Sequence, residues 1–209
     1  SSNGGGIYIS SSNPTLVSVA IVSNTASGNG GGIYLQGSSS PTLKNVTISG
    51  NTSSSGGGLH LESGSPTLIN TIIWDNAPES ISGNGAAVTY SDIQGGLEGE
   101  GNIDQDPLFV NAGSGDYNLQ WGSPAIDAGD PSGYPDPDGT ITDMGALYYD
   151  QTYQSPNAPV GLSYVPGSGE ITLSWTANEE TDLTHYVVYK GSSPDALDSL
   201  AVVTAPTAE

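Results

Sequence analysis

Gly30-Gly31-Gly32-Ile33-Tyr34-Leu35 is one of three copies of a phrase, and its recurrence decides the fold. Gly4-Gly5-Gly6-Ile7-Tyr8-Ile9 begins 26 residues earlier and Gly56-Gly57-Gly58-Leu59-His60-Leu61 begins 26 residues later. Between the copies run Pro14-Thr15-Leu16, Pro41-Thr42-Leu43 and Pro66-Thr67-Leu68. A third phrase ends in asparagine each time: Ile21-Val22-Ser23-Asn24, Ile48-Ser49-Gly50-Asn51 and Ile73-Trp74-Asp75-Asn76. A fixed period of this size means a solenoid, a propeller or an array.

Within one copy, the glycines make a tight turn, because glycine accepts positive φ without a steric penalty. Ile33-Tyr34-Leu35 then alternates as a short strand with one face inward. Thr42-Leu43 and Val46-Thr47-Ile48 supply two more strands, with a corner at Asn45, matched by Asn70 and Ser18. A propeller blade needs about 40 residues or more, and a leucine-rich repeat would show a helical half. Calcium-binding nonapeptide repeats need an Asp after the glycines, which all three copies lack. The expectation for residues 1–96 is therefore an all-β, right-handed parallel β-helix. Its inward ladders are Ile7/Ile33/Leu59, Ile9/Leu35/Leu61, Leu16/Leu43/Leu68 and Ile21/Ile48/Ile73. A degenerate fourth coil runs from Ala86 to Ile93 and closes in a Gly-rich turn.

The 209 residues include 30 Gly, 14 Pro and no Cys, which leaves neither a disulfide framework nor a thiolate site. Of 22 acids only Glu62, Asp75, Glu79 and Asp92 precede residue 97. The sole cations among Lys and Arg are Lys44 and Lys190, and the net charge is −20. That balance excludes phosphate-driven nucleic-acid binding; it suits a soluble exterior or a cation-rich medium. No apolar run is long enough for a membrane-spanning helix. The sequence enters a repeat directly from Ser1-Ser2-Asn3, without an initiator Met or signal peptide, and reads as a fragment.

Residues 102–150 change character, within a β-helix end segment expected over 97–154. Asp106-Pro107-Leu108-Phe109-Val110, Gly115-Asp116-Tyr117-Asn118-Leu119, Gly122 to Gly129 (GSPAIDAG), Asp136-Pro137-Asp138-Gly139 and Asp143-Met144-Gly145-Ala146 follow in order. This run resembles the end of bacterial right-handed β-helix proteins whose last segment is called the choice-of-anchor Q domain. The basic residue usual between the last two phrases is missing here. The resemblance, over about residues 1–150, implies a secreted or surface-displayed bacterial protein. Physically the segment reads as a cap over the last coil, with Phe109, Leu119, Trp121, Ile126 and Met144 as covering contacts. Residues 155–159 read as a linker. Beyond it, Pro159, Leu162, Trp175, Tyr186 and Tyr189 sit on alternating strands similar to a fibronectin type III domain. That implies a partial β-sandwich over residues 155–209, since about 100 residues are needed.

Three sets of residues are candidates for chemistry. Asp136, Asp138 and Asp143 surround a glycine turn, and their oxygens suit calcium; the same pattern also makes an Asp turn bonded to backbone amides. Tyr8, Tyr34 and His60 form an outward stripe that either meets a polysaccharide or a protein partner or simply stabilises the face. Catalysis finds little support. A lyase would need a Lys or Arg base beside further cations, and Lys44 stands alone. A hydrolase would need paired carboxylates, and Glu62 and Asp75 align with Ser10, Gln36, Ser23 and Gly50. His185 at a strand start has no evident partner in the sequence. The sequence is read as a non-catalytic extracellular piece for adhesion, display or ligand binding, with a carbohydrate-active lyase, hydrolase or binding module as the alternative.

Overall fold

The computed structural model describes residues 2–153, 159–166, 171–176, 185–193 and 196–204. Of the linker expected at 155–159, all but Pro159 lies outside the described residues. The chain divides into two units, Ser1–Thr152 and Tyr153–Glu209.

In the first unit four coils stack in parallel. Coil one holds β1 (Ile7–Ser10) and β2 (Thr15–Val22); coil two holds β3 (Ile33–Gln36) and β4 (Thr42–Ser49). Coil three holds β5 (Leu59–Leu61), β6 (Thr67–Ile69) and β7 (Ile72–Trp74). Coil four holds β8 (Ile81–Ser82), β9 (Ala87–Thr89) and β10 (Asp92–Ile93). One sheet runs β1-β3-β5-β8, and a second joins the remaining strands. All four expected inward ladders appear in the strand register, Ile7↔Ile33↔Leu59 and Leu16↔Leu43↔Leu68 among them. Ile33, Leu35, Leu43, Ile48, Leu59, Leu68 and Ile73 are fully enclosed in one continuous core.

The second sheet bends sharply, so each coil has three faces. Ser18, Asn45, Asn70 and Tyr90 take left-handed φ of 53°, 53°, 52° and 49° at equivalent corners. In coils one and two the strand runs through that corner as β2 and β4, where the sequence suggested two strands; in coils three and four it splits. The glycine triplets serve two purposes. Gly30 turns with φ 68°, whereas a Cβ on Gly32 would lie 2.6 Å from the Gly58 carbonyl oxygen of the next coil. Adjacent turns approach too closely for any side chain there.

The asparagine-ended phrases form a second ladder. Asn51 Nδ2 donates to Ser49 O (3.1 Å) in its own coil and to Ile21 O (2.8 Å) in the preceding one. Its Oδ1 accepts the Asn24 amide at 2.9 Å, and Asn76 repeats the pattern one coil on. These side chains satisfy carbonyls that turn out of the sheets where the chain leaves each coil.

The end of the stack differs from the expected cap over 97–154. Residues 99–105 add a partial fifth rung: Ile103 bridges Asp92, and its amide donates to Ser91 O at 2.9 Å. The hairpin of β11 (Phe109–Asn111) and β12 (Asp116–Leu119) follows. From there the chain lies along the side of the coils, as a lateral clasp. The Asp130 amide donates to Asn70 Oδ1 at 2.8 Å, the Gly145 amide to Asn70 O at 2.8 Å, and the Ala146 amide to Thr47 Oγ1 at 2.9 Å. The reason is the doublet Ile72-Ile73: Ile73 enters the main core, so Ile72 and Trp74 face outward. That apolar strip needs cover, and Leu119, Ala125 and Met144 with Phe109 and Ile126 provide it. Trp121, expected among the covering contacts, is 60% exposed instead.

In the second unit β13 (Val160–Pro166) pairs antiparallel with β14 (Ile171–Thr176), and β15 (His185–Ser193) with β16 (Ala196–Thr204). Trp175 and Tyr186 meet edge to face at 5.2 Å. No helix among the described residues is long and apolar enough to cross a membrane.

Replacing Asn51 by Ala strands buried groups on both neighbouring coils and is expected to cost on the order of 3 kcal/mol. Asn24→Ala, at the half-buried end of the ladder, is expected to cost about 1 kcal/mol. Urea unfolding of both variants measures the difference; equal losses would mean that the ladder acts as isolated caps.

Candidate functional site

The outward stripe is a true stack. Strand register aligns Tyr8, Tyr34 and His60; the ring centroids are 5.3 Å apart in both pairs, with interplanar angles of 19° and 0°. Tyr34 is thereby buried, only 4% exposed. Its hydroxyl donates to Glu62 Oε2 at 2.7 Å. That bond first, then burial, pushes the phenol up to about 12, so Tyr34 holds its proton at neutral pH. His60 Nε2 lies 3.4 Å from Asn29 Nδ2, while its buried Nδ1 has no hydrogen-bond partner. The faces of Tyr34 and His60 are used on each other, so within this stripe the open aromatic ring is Tyr8, 50% exposed.

The three carboxylates of the Gly139 turn come together on backbone amides. Asp136 Oδ2 accepts the Asp143 amide at 2.7 Å. Asp138 Oδ1 accepts the Thr140 amide and hydroxyl, and its Oδ2 the Gln151 amide at 2.9 Å. Asp143 takes the Asp127 amide at 2.8 Å on one oxygen and the Tyr149 amide at 2.6 Å on the other. Burial pushes the Asp143 carboxyl up to about 6 against the pull of those two amides, and it also raises Asp136. The Gln151 amide, followed by Thr140, holds Asp138 below the ordinary range. Among the described residues no group of three or more His, Asp or Glu side chains is placed to hold a metal ion. The arrangement fastens three segments of the clasp, around residues 127, 140 and 150. An open cleft of about 160 Å³ lies beside it, lined by Asp130, Pro131, Pro135, Thr140 and Ile141.

The coil carboxylates have separate surroundings. Glu62 serves Tyr34; Glu79 Oε1 accepts the Gly56 amide at 2.7 Å and the Ser55 hydroxyl at 3.1 Å. Asp75 is exposed at a left-handed position, and Asp92 is wholly buried. Lys44 is half-buried; the Ser132 hydroxyl and then its amide hold the Asp130 carboxyl down, and the Lys44 charge adds to them. Of the side chain of His185 nothing is described.

Two features escaped sequence reasoning. Trp121 stands out from the clasp at 6.5 Å and 42° from Tyr149, leaving one indole face free. Asp92, in sequence only one of four acids before residue 97, occupies an outer column already turned apolar by Ile72. The Ile72-Ile73-Trp74 run was the available signal for both, since it marks a face that must be covered.

A family model described as a right handed beta helix region matches residues 1–127. Neither the curated proteins nor the solved structures give a match.

Asp143→Ala leaves the Asp127 and Tyr149 amides without their acceptor and is expected to destabilise the first unit by about 2–4 kcal/mol. Thermal melting with calcium and with chelator accompanies it. A loss that is the same in both media marks a backbone fastener; a calcium-dependent gain in wild type that Asp138→Asn abolishes marks a metal site.

Proposed function

The chain belongs to the right-handed β-helix family, and on that footing we propose that it serves as a non-catalytic scaffold for adhesion or display in a secreted or cell-surface bacterial protein. The observation that carries this reading is the engagement of its potential acids. Of the four coil acids Glu62 and Glu79 are committed to Tyr34, Ser55 and Gly56, and Asp92 is buried, so a lone exposed Asp75 remains. An inverting or retaining hydrolase needs two facing carboxyl groups with open space between them. The outer face carries hydroxyl and amide rungs that bond along the axis instead, such as Ser55 with Ser82 at 2.8 Å and Gln36 with Ser10 at 3.2 Å. A rigid, nearly uncharged face of this kind suits spacing and presentation. The resemblance of residues 102–150 to a choice-of-anchor Q segment, and of the strands after residue 159 to a fibronectin type III domain, supports the extracellular setting. Calcium there would act on the clasp from solution.

One observation favours a second reading, a polysaccharide-binding module. Trp121 offers a free aromatic face, and Asp127 and Gln151, paired at 2.7 Å on the same clasp, offer polar groups. Sugar recognition commonly combines these two elements.

The scaffold reading expects no product from incubation with neutral or acidic polysaccharides, followed by reducing-end assay. Product formation that Glu62→Gln or Glu79→Gln abolishes would overturn it. In affinity electrophoresis on the same polysaccharides, retardation that drops at least tenfold in Trp121→Ala would establish the binding module in its place.

A further inference from the structure

Asp92 is the one carboxylate on the coils with no exposure at all, at 0%. Register places it in the outer column after Thr47 and Ile72, with Ile103 bridging it on the fifth rung. Ile72 belongs to the core beneath the clasp, and Ile103 packs against that core. The carboxyl therefore sits at the seam where the last coil, the fifth rung and the clasp meet. Its Oδ1 accepts the Gln105 amide at 3.2 Å. Its buried Oδ2 has no hydrogen-bond partner.

An ionised carboxylate with one unpaired oxygen buried in such a seam is strongly disfavoured, whereas the neutral acid is tolerated. The charges facing it offer no relief. On the fifth rung they are Asp104 and Asp106, both acidic, with oxygens on the Gly95 and Leu108 amides. β7 carries no ionisable side chain between Ile72 and Trp74. In the clasp Asp143 precedes Met144, with both oxygens on the Asp127 and Tyr149 amides. Lys44 acts on Asp130.

We propose that Asp92 is a proton-dependent latch between the last full coil and the fifth rung that leads to the clasp: the neutral acid closes the seam onto Gln105, and ionisation opens it. Burial first, then the charges of Asp104 and Asp106, pushes its pKa up to about 7 against the pull of the Gln105 amide. In an open seam the same carboxyl has a pKa of about 3.9. The closed form therefore holds a proton that the open form has lost between about pH 4 and 7. Seam stability is greatest below that window, falls as pH rises through it, and levels off above. Asp143, raised to about 6, contributes in the same direction at the lower end, so the interval above pH 6 isolates Asp92.

The test is hydrogen exchange at the Gln105 amide of the whole chain, expressed as a protection factor so that intrinsic exchange cancels. For one proton with these limits, protection in wild type is expected to fall about tenfold from pH 6 to pH 8. Asp92→Asn keeps an acceptor for Gln105 and carries no charge, so its protection should change by less than about twofold. Wild-type protection that stays flat, or a variant that falls as wild type does, overturns the proposal. Should the variant fold poorly, carbon-13 titration of the Asp92 carboxyl in wild type decides. A midpoint near neutrality that Asp104→Asn lowers supports the latch, and an ordinary carboxylate midpoint overturns it.

Discussion

A parallel solenoid must satisfy, at every coil, the backbone groups that leave its sheets, and here the Asn24–Asn51–Asn76 ladder carries that constraint. Asn51 and Asn76 each bond carbonyls in their own coil and in the one before, and accept a backbone amide from the preceding coil. Asn24, at the first coil, donates to Val22 O and to Asn51 Oδ1. The apolar ladders inside contribute burial, but burial is indifferent to small slips along the axis. Directional bonds at one fixed point per coil are not. They pin the register in which Ile48 meets Ile21 and Ile73. At another corner, between β6 and β7 and between β9 and β10, the same device appears with hydroxyls: Thr71 and Ser91 each bond the carbonyl two residues back, at 3.2 and 2.8 Å.

The coils were legible because their information is periodic and local. Alternation around Ile33 and Leu35 gave the inward faces, and the spacing of the glycine triplets aligned one coil with the next. Corners at Ser18, Asn45 and Asn70 followed from the same alignment and prove to be left-handed. What the sequence did not disclose depends on contacts between distant residues with no repeat to average over. The clasp is fixed by Ala146 on Thr47 and by Asp130 on Asn70, bonds that span 99 and 60 residues. Trp121 looked like a covering residue because its apolar character is visible in sequence while its direction is not. The Asp136, Asp138 and Asp143 pattern allowed metal or amide partners, and the amides of Gln151, Asp127 and Tyr149 that take up their oxygens are not marked by any residue type.

The division of charge follows the division of structure. Coils that stack by side-chain ladders place like residues within about 5 Å of one another, so a charge repeated on every coil would repel itself along the whole axis. Serine, threonine, asparagine and glutamine take those positions, and 18 of the 22 acids lie after residue 97, beyond the repeats. The chain thus carries its net charge of −20 without straining the repeat.

The clasp also determines how the molecule would bear a load. Tension arriving at Thr152 meets the turn where Gln151 is held by Asp138 and Asp127. It then enters the stack through Asn45, Thr47 and Asn70 on two successive coils. A chain leaving directly from the fifth rung would be peeled one hydrogen bond at a time. Attached along the flank, it has to break bonds on two coils together, so its mechanical lifetime is set by joint rupture rather than by the weakest rung.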